Sequence, residues 1–492
     1  MEFSGLYFLY VILPLMLLAY YLIPGLLGRN IVLAVSALAV YGLCQPMYLP
    51  LILILIRYTY NSGLKIKKGK KRSLVLPLAV ILSVPLILKV LDPLLLSAGV
   101  ASVSGGVVLG IVSRIATWMN KIGFNFSQPQ GLAPLGIMFL TLASVSYLFD
   151  IYRGKYPAER SFWAFLQYMV FLPKLFQGPV VRYNELSSQF DDRRENFRHV
   201  FEGLVRFCTG LGKKVLLADY CARMIAELTE HRSDQALVGS WLAVVLFLFR
   251  VYYDFSGCFD MAVGLGKMFG FRLPESFHLP FTALSVTDFF SRWNLTVGTF
   301  FREYVEEPLR GKRPTAYNRY LALGISFCLM GLWYGGSLTF LLWGLFFTAV
   351  MIAEEMFQEE LTDLPYWLRR LLTMLALVLG FTLFMHKDVQ SLGNALKAMI
   401  GNGGFSVRGD GTRVMNCIPL LGCCLFGVTD LPRKVRLRWR KLCGLAGGKT
   451  VSRPVLTYVY IASFAAYVVL ILWWCTVSRV GWEMVPSLFM SM

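Results

Sequence analysis

The stretch FCLMGLWYGGSLTFLLWGL, residues 327–345, carries no charged side chain, and its one strongly amphipathic interruption is Trp333-Tyr334 ahead of two glycines. Apolar runs flank the break at 321–333 and 339–353. Each is shorter than the roughly 20 helical residues that cross a hydrocarbon core of about 30 Å. Short or Gly/Pro-interrupted segments persist in a bilayer only where neighbouring protein or a water-filled cavity satisfies their backbone groups. The stretch therefore predicts a compact helical bundle around a cavity rather than independent spans.

The rest of the chain agrees. Hydrophobic residues make up 56% of its 492 residues and charged ones 16%, with a mean hydropathy of +0.58. A soluble domain would carry about 25% charged residues, so most of this surface faces lipid. Residues 6–27 read as a retained first helix, being long and without a small-residue cleavage site. Residues 31–56 hold two apolar runs divided by CQPMY, and Pro46 marks the turn of a tight helical hairpin. Further candidates are 74–96, 105–124, 132–152, 201–217, 237–255, 371–385, 414–428 and 455–477. With the two runs of the opening stretch, this gives an all-α polytopic integral membrane protein of about a dozen segments by the length rule.

The net charge of +19 does not indicate nucleic acid, because the lysines and arginines fall in blocks between apolar runs. LKIKKGKKR (64–72) and RKVRLRWRK (433–441) read as cytoplasmic loops. Three spans before the first block place the N-terminus outside. The second block, with Trp439 among its charges, also suits anionic headgroups. Ten cysteines show neither metal spacing nor a disulfide framework and read as packing residues. His199, His231, His278 and His386 form no pair at ligand spacing, and no phosphate loop, Ser-His-Asp order or repeat stands out.

Ionisable groups within the apolar region cost roughly 2.5 to 3.5 kcal/mol each on insertion scales and mark function or buried pairing. They concentrate at 251–308. Asp254 and Asp260 bracket what reads as a small-residue turn. Asp288 and Arg292 stand four apart on one helical face, and Arg302 follows on the same amphipathic segment. These side chains could line a hydrated tunnel; equally, Asp288-Arg292 and Arg302-Glu306 could be structural pairs on an interfacial helix.

Five phrases in order carry a family resemblance: SVSYLFDIYRG (144–154), FLPKLFQGPVVRYNEL (171–186), DFSGCFDMAVGLGKMFGF (254–271), TDFFSRWNLTVGTFFREYVEEPL (287–309) and GLWYGGSLTFLLWGL (331–345). The chain resembles the membrane-bound O-acyltransferase family, and within it the branch acting on envelope glycans. The resemblance implies one domain over 1–492, with N-terminal helices to 155, a family core at 156–390 and divergent C-terminal helices beyond. It implies helices ringed around a thinned centre, with short interfacial and re-entrant helices. A tunnel there lets a cytoplasmic acyl donor, acyl-CoA or an acyl carrier, meet a polysaccharide hydroxyl on the far side. It further implies a bacterial cytoplasmic membrane, no bound cofactor, and an extracytoplasmic transferase or glycan synthase as partner.

The family places a histidine after the Trp of the Gly-Leu-Trp phrase, often a second after Arg-Trp, and commonly a third in the Trp-Gly phrase that follows. Here these positions are Tyr334, Asn294 and about Phe347. Histidine is the usual base for acyl transfer to a hydroxyl. A phenol with a reference pKa of about 10 is about one part in a thousand ionised at pH 7, and an amide exchanges no proton but still hydrogen-bonds. His278, His386, Asp260 and Asp288 are the remaining candidate bases. Asp254, Arg292, Trp293, Arg302 and Trp333 match positions that the family uses toward substrate, while Phe259, Phe289 and Phe290 are expected to narrow the tunnel. Two readings stay open: a divergent O-acyltransferase with impaired catalysis, and a catalytically inactive accessory subunit that binds donor, lipid or partner. A transporter is disfavoured because the halves show no inverted repeat.

Overall fold

The computed structural model describes residues 3–91, 134–229 apart from 176 and 194, 237–402 apart from 312–314, 404–405, 410–442 and 454–480, with isolated positions 114, 117 and 121. Among these residues all regular structure is helical. The expected single helix over 6–27 is corrected: α1 (Leu13–Leu22), continuing a π-turn at Phe8–Ile12, stops before Pro24. Proline forces the residue ahead of it out of the helical region, and Ile23 is extended at φ −84°, ψ 122°. Gly25 then turns the chain at φ +78° into α2 (Leu26–Cys44). The Pro46 hairpin forms as expected, a 3-10 turn at Pro46–Tyr48 joining α2 to α3 (Leu49–Lys65). The first basic block bridges α3 and α4 (Lys71–Pro85). The candidate span at 105–124 lies outside the described residues apart from isolated positions.

Next come α5 (Ile137–Arg153), α6 (Phe197–Gly212) and α7 (Leu237–Met268). The small-residue turn expected between Asp254 and Asp260 does not exist, because α7 runs unbroken for 32 residues. At a rise of 1.5 Å per residue it is about 48 Å long, more than the hydrocarbon core needs. Its glycines serve packing instead. A Cβ on Gly264 would meet the Gly203 carbonyl at 2.6 Å, and one on Gly257 the Gly210 carbonyl at 2.8 Å. Two pairs of glycines, each seven residues apart, thus let α6 and α7 approach backbone to backbone.

The core half ends in two short helices, α8 (Val286–Phe290) and α9 (Leu295–Phe301), then α10 (Ala316–Tyr334), α11 (Leu338–Met356) and α12 (Tyr366–Met385). The opening stretch is the α10–α11 hairpin: Gly335 is extended, Gly331 lies against the Phe340 carbonyl and Gly344 against that of Phe327. The chain closes with α13 (Asp410–Val428), α14 (Leu431–Leu442) and α15 (Pro454–Val480). The block at 433–441, read as a loop, is helical in α14. Its Arg, Lys and Leu residues are good helix formers, and the one proline of α14, Pro432, precedes the block in the helix's first turn.

Among the described residues seven helices are long and apolar enough to cross a membrane, and Phe8–Leu22 is a shorter apolar one. The wider count of about a dozen included α3, α5 and α6, which have 17, 17 and 16 residues.

Candidate functional site

The Asn294 position is set by backbone geometry. The chain leaves α8, and at Asn294 it adopts the left-handed region (φ +45°), from which its carbonyl accepts the first amides of α9, Val297 and Gly298, both at 3.0 Å. A strand-like loop at 276–278 braces this corner: Leu295 N donates to Ser276 O at 2.8 Å, and His278 N to Arg292 O at 2.9 Å. Tyr334 is the last residue of α10, held there because Gly331 lets α11 press close.

The two family histidine positions meet: Asn294 Nδ2 donates to Tyr334 Oη at 2.8 Å. The Trp293 indole lies beside this pair in the same cavity lining. All three side chains are buried, at 4% exposure or less. The Asn294 Oδ1 atom is buried with no protein hydrogen-bond partner. Around them is an aromatic wall. Phe255 stacks on Tyr334 at 5.8 Å, Phe289 stacks on Trp293 at 5.1 Å, and Trp343 and Phe384 stand edge-on to the tyrosine. Trp293, Asn294 and Tyr334, with Arg302, Ser291 and Ser326, line a cavity of about 400 Å³. That volume suits a small group or the end of a longer ligand.

The remaining candidates are distributed differently. Trp333 is buried beside Tyr334 but packs its ring edge-on to Phe139 at 5.4 Å. Asp288 and Arg292 pair at 2.7 Å, and Arg292 also reaches Thr282. Glu306 pairs with Arg310 at 3.6 Å, not with Arg302. The two α7 carboxylates face α6 and its continuation. Asp254 lies 2.9 Å from Lys214, which also holds Asp219, itself 3.1 Å from Arg479 of α15. Asp260 sits between Arg206 (2.6 Å) and Lys213 (2.7 Å). The structure therefore gathers Tyr334, Asn294, Trp293 and Arg302 at the cavity and sets Asp254 and Asp260 in interhelical ion pairs. Phe347 is fully buried against Phe290 and Trp343, and Phe259 packs edge-on to Phe277. Phe290 itself lines the cavity, whereas Phe259 and Phe289 belong to the packing around it.

Sequence reasoning passed over Ser326, Thr287 and Ser291, whose hydroxyl-bearing residues line the cavity. For Ser326 a signal existed. Leu323, Ser326, Met330 and Tyr334 recur at intervals of three and four, placing them on one face of α10.

Among proteins of known family, residues 157–386 match the membrane-bound O-acyltransferase family. The chain is 32% identical over 416 residues to the probable alginate O-acetylase AlgI of Azotobacter vinelandii, covering 83% of this chain and 79% of the relative. It is 31% identical over 407 residues to that of Pseudomonas syringae pv. tomato, covering 82% and 76%. The peptidoglycan O-acetyltransferase of Helicobacter pylori is 28% identical over 444 residues, covering 81% and 80%. A helical membrane bundle, an enclosed polar corner at the family's characteristic positions, and similarity along most of the chain lead to one conclusion: this protein belongs to the membrane-bound O-acyltransferase family.

Proposed function

We propose that this protein acts in O-acylation, in kind O-acetylation, of an extracytoplasmic polysaccharide, with its own transfer chemistry impaired. The observation that supports the reading is the 2.8 Å bond between Asn294 and Tyr334 in the cavity wall. The pair offers hydrogen bonds to a carbonyl or hydroxyl, but neither member is a proton acceptor suited to neutral pH. The cavity then holds and orients an acyl group carried in by acyl-CoA or an acyl carrier, and proton removal depends on a group that this pair does not supply. The same reading puts the protein in a bacterial cytoplasmic membrane with its N-terminus outside, beside an extracytoplasmic transferase or glycan synthase.

A second reading, an inactive accessory subunit that binds donor, lipid or partner, is favoured by the same bond, since it ties the Asn294 amide N–H to the Tyr334 hydroxyl without any substrate. Restoring both histidines tests the two. The left-handed conformation at 294 is one that histidine tolerates nearly as well as asparagine, so the doubly substituted Asn294→His/Tyr334→His protein is expected to fold. Acyl transfer to envelope glycan is then measured in membranes bearing the native or the substituted chain. The expected result is little transfer by the native protein and a gain in the substituted one. Robust native transfer that Tyr334→Phe abolishes would overturn impairment, and no gain on restoration would leave the accessory reading standing.

A further inference from the structure

A second, larger cavity opens between α10, α11 and α12, with a volume of about 850 Å³. It shares Thr287, Arg310, Leu323 and Met351 with the smaller cavity, so the two lie on either side of a common wall. Three arginines line it: Arg310 just before α10, Arg319 in its first turn and Arg369 in the first turn of α12. The Nε atom of each is buried with no hydrogen-bond partner. An uncommitted buried N–H is costly, and more so on a charged group. Three of them around one space indicate an acceptor that the protein itself does not provide.

Charge bookkeeping points the same way. The glutamates that line the cavity, Glu354 and Glu355, are both already engaged. Glu354 caps α8, accepting from Val286 N and Thr287 N, and Glu355 pairs with Arg319. Among the described residues Arg369 has no carboxylate within ion-pair distance. Arg310 pairs with Glu306 and Arg319 with Glu355, so among the described residues Arg369 is the cavity guanidinium left without a carboxylate. The N-terminal ends of α10 and α12 add their positive dipole ends.

The ligand's other end is read from the walls. The antiparallel run of α10, α11 and α12 brings the start of α10, the end of α11 and the start of α12 to one boundary of the bundle. From that boundary the cavity is lined inward by Leu323, Val350, Met351, Leu372 and Ala376. Leu372 is also exposed at the outer surface, as are its helix neighbours Leu371, Leu375 and Leu379. A charged mouth at the interface and an apolar depth open toward lipid match an amphiphile. Guanidinium forks match a phosphate.

We infer that this cavity is a binding site for the phosphate headgroup of a membrane phospholipid, with Arg310, Arg319 and Arg369 on the phosphate and an acyl chain along α10 and α12. The site is separate from the Asn294–Tyr334 corner and stands whether or not that corner performs transfer.

Native mass spectrometry of the full chain in detergent, after incubation with phosphatidylglycerol, reads lipid retention directly. One lipid per chain is expected on the native protein. Arg369→Gln, which breaks no ion pair, should weaken retention about tenfold through loss of one charge-assisted hydrogen bond. Ala376→Phe, which fills the apolar depth and leaves the arginines in place, should weaken it as well. Elution as a single monodisperse species confirms that each variant is folded. Equal retention by native and both variants would overturn the site, as would equal retention of diacylglycerol, which lacks the phosphate. Displacement of the lipid by millimolar glycerol phosphate would show a soluble phosphate ester as the occupant and overturn the lipid assignment.

Discussion

Asn294 holds a backbone conformation (φ +45°) that excludes most residues, and its amide is tied to Tyr334. These two duties separate under mutation. Asn294→Gly keeps the left-handed turn and loses the hydrogen bond; Asn294→Ala loses the bond and pays strain as well. The alanine variant should therefore unfold at lower temperature in detergent, with a difference of about 1 kcal/mol between the two. Tyr334→Phe removes the hydroxyl and strands the buried amide, at a cost of about 1–3 kcal/mol. Combined with Asn294→Gly the effects should be less than additive, because the second change removes a group already without its partner. Additive effects in the thermal midpoints would show that the pair contributes nothing as a pair. The substitution of both family histidine positions was legible from the phrases around them. That they touch was not, since the two positions stand 40 residues apart with α9 and most of α10 between them, and the left-handed turn at 294 is invisible until the backbone is known. Asp254 and Asp260 misled for the opposite reason: a carboxylate in an apolar run signals either a tunnel or a buried cation, and Lys214, Lys213 and Arg206 lie 40 or more residues away in sequence.

The α6–α7 interface is where element packing is least forgiving. A methyl on Gly264 would press on backbone at 2.6 Å and cannot be accommodated by a rotamer change. Gly264→Ala should cost about 1–3 kcal/mol and lower the yield of folded protein. Gly393 is the matched control. It lies in the amphipathic helix Val389–Met399 with nothing near its missing Cβ. Alanine there should be neutral or stabilise by about 0.5–1 kcal/mol. Comparable losses from both substitutions would mean that the close approach is not what the α7 glycines provide. Helix positions were mostly legible because apolar length is a strong signal, and the Pro46 hairpin follows from proline's own geometry. The missed features were contextual. Continuous α7 was mistaken for two pieces because Ser256-Gly257 resembles a turn until the partner helix is known, and Pro24 ended the first helix earlier than hydropathy alone suggests.

For the molecule as a whole, the ion pairs of α7 and the residues of the cavity should part company in experiment. Asp254→Asn weakens a buried network that reaches α15 through Lys214, Asp219 and Arg479, and Asp260→Asn releases two cations, Arg206 on α6 and Lys213 just past its end. Breaking such buried pairs costs about 3–5 kcal/mol, so both variants should lose folded protein in size-exclusion chromatography. Arg302→Gln, at the exposed edge of the smaller cavity, should elute and melt like the native chain while altering ligand affinity. A folding defect in Arg302→Gln with none in Asp254→Asn would reverse these assignments. The glycines of α6 and α7 carry one more implication. Gly203 faces Gly264 and Gly210 faces Gly257, while Asp260 lies between Arg206 and Lys213. Sliding one helix past the other by a heptad would unmatch one glycine pair and pull the carboxylate from its cations. That half of the bundle is thus keyed like a dowelled joint, and any breathing needed to admit or release a ligand falls to the other half, where α10 and α11 line both cavities and α12 the larger one.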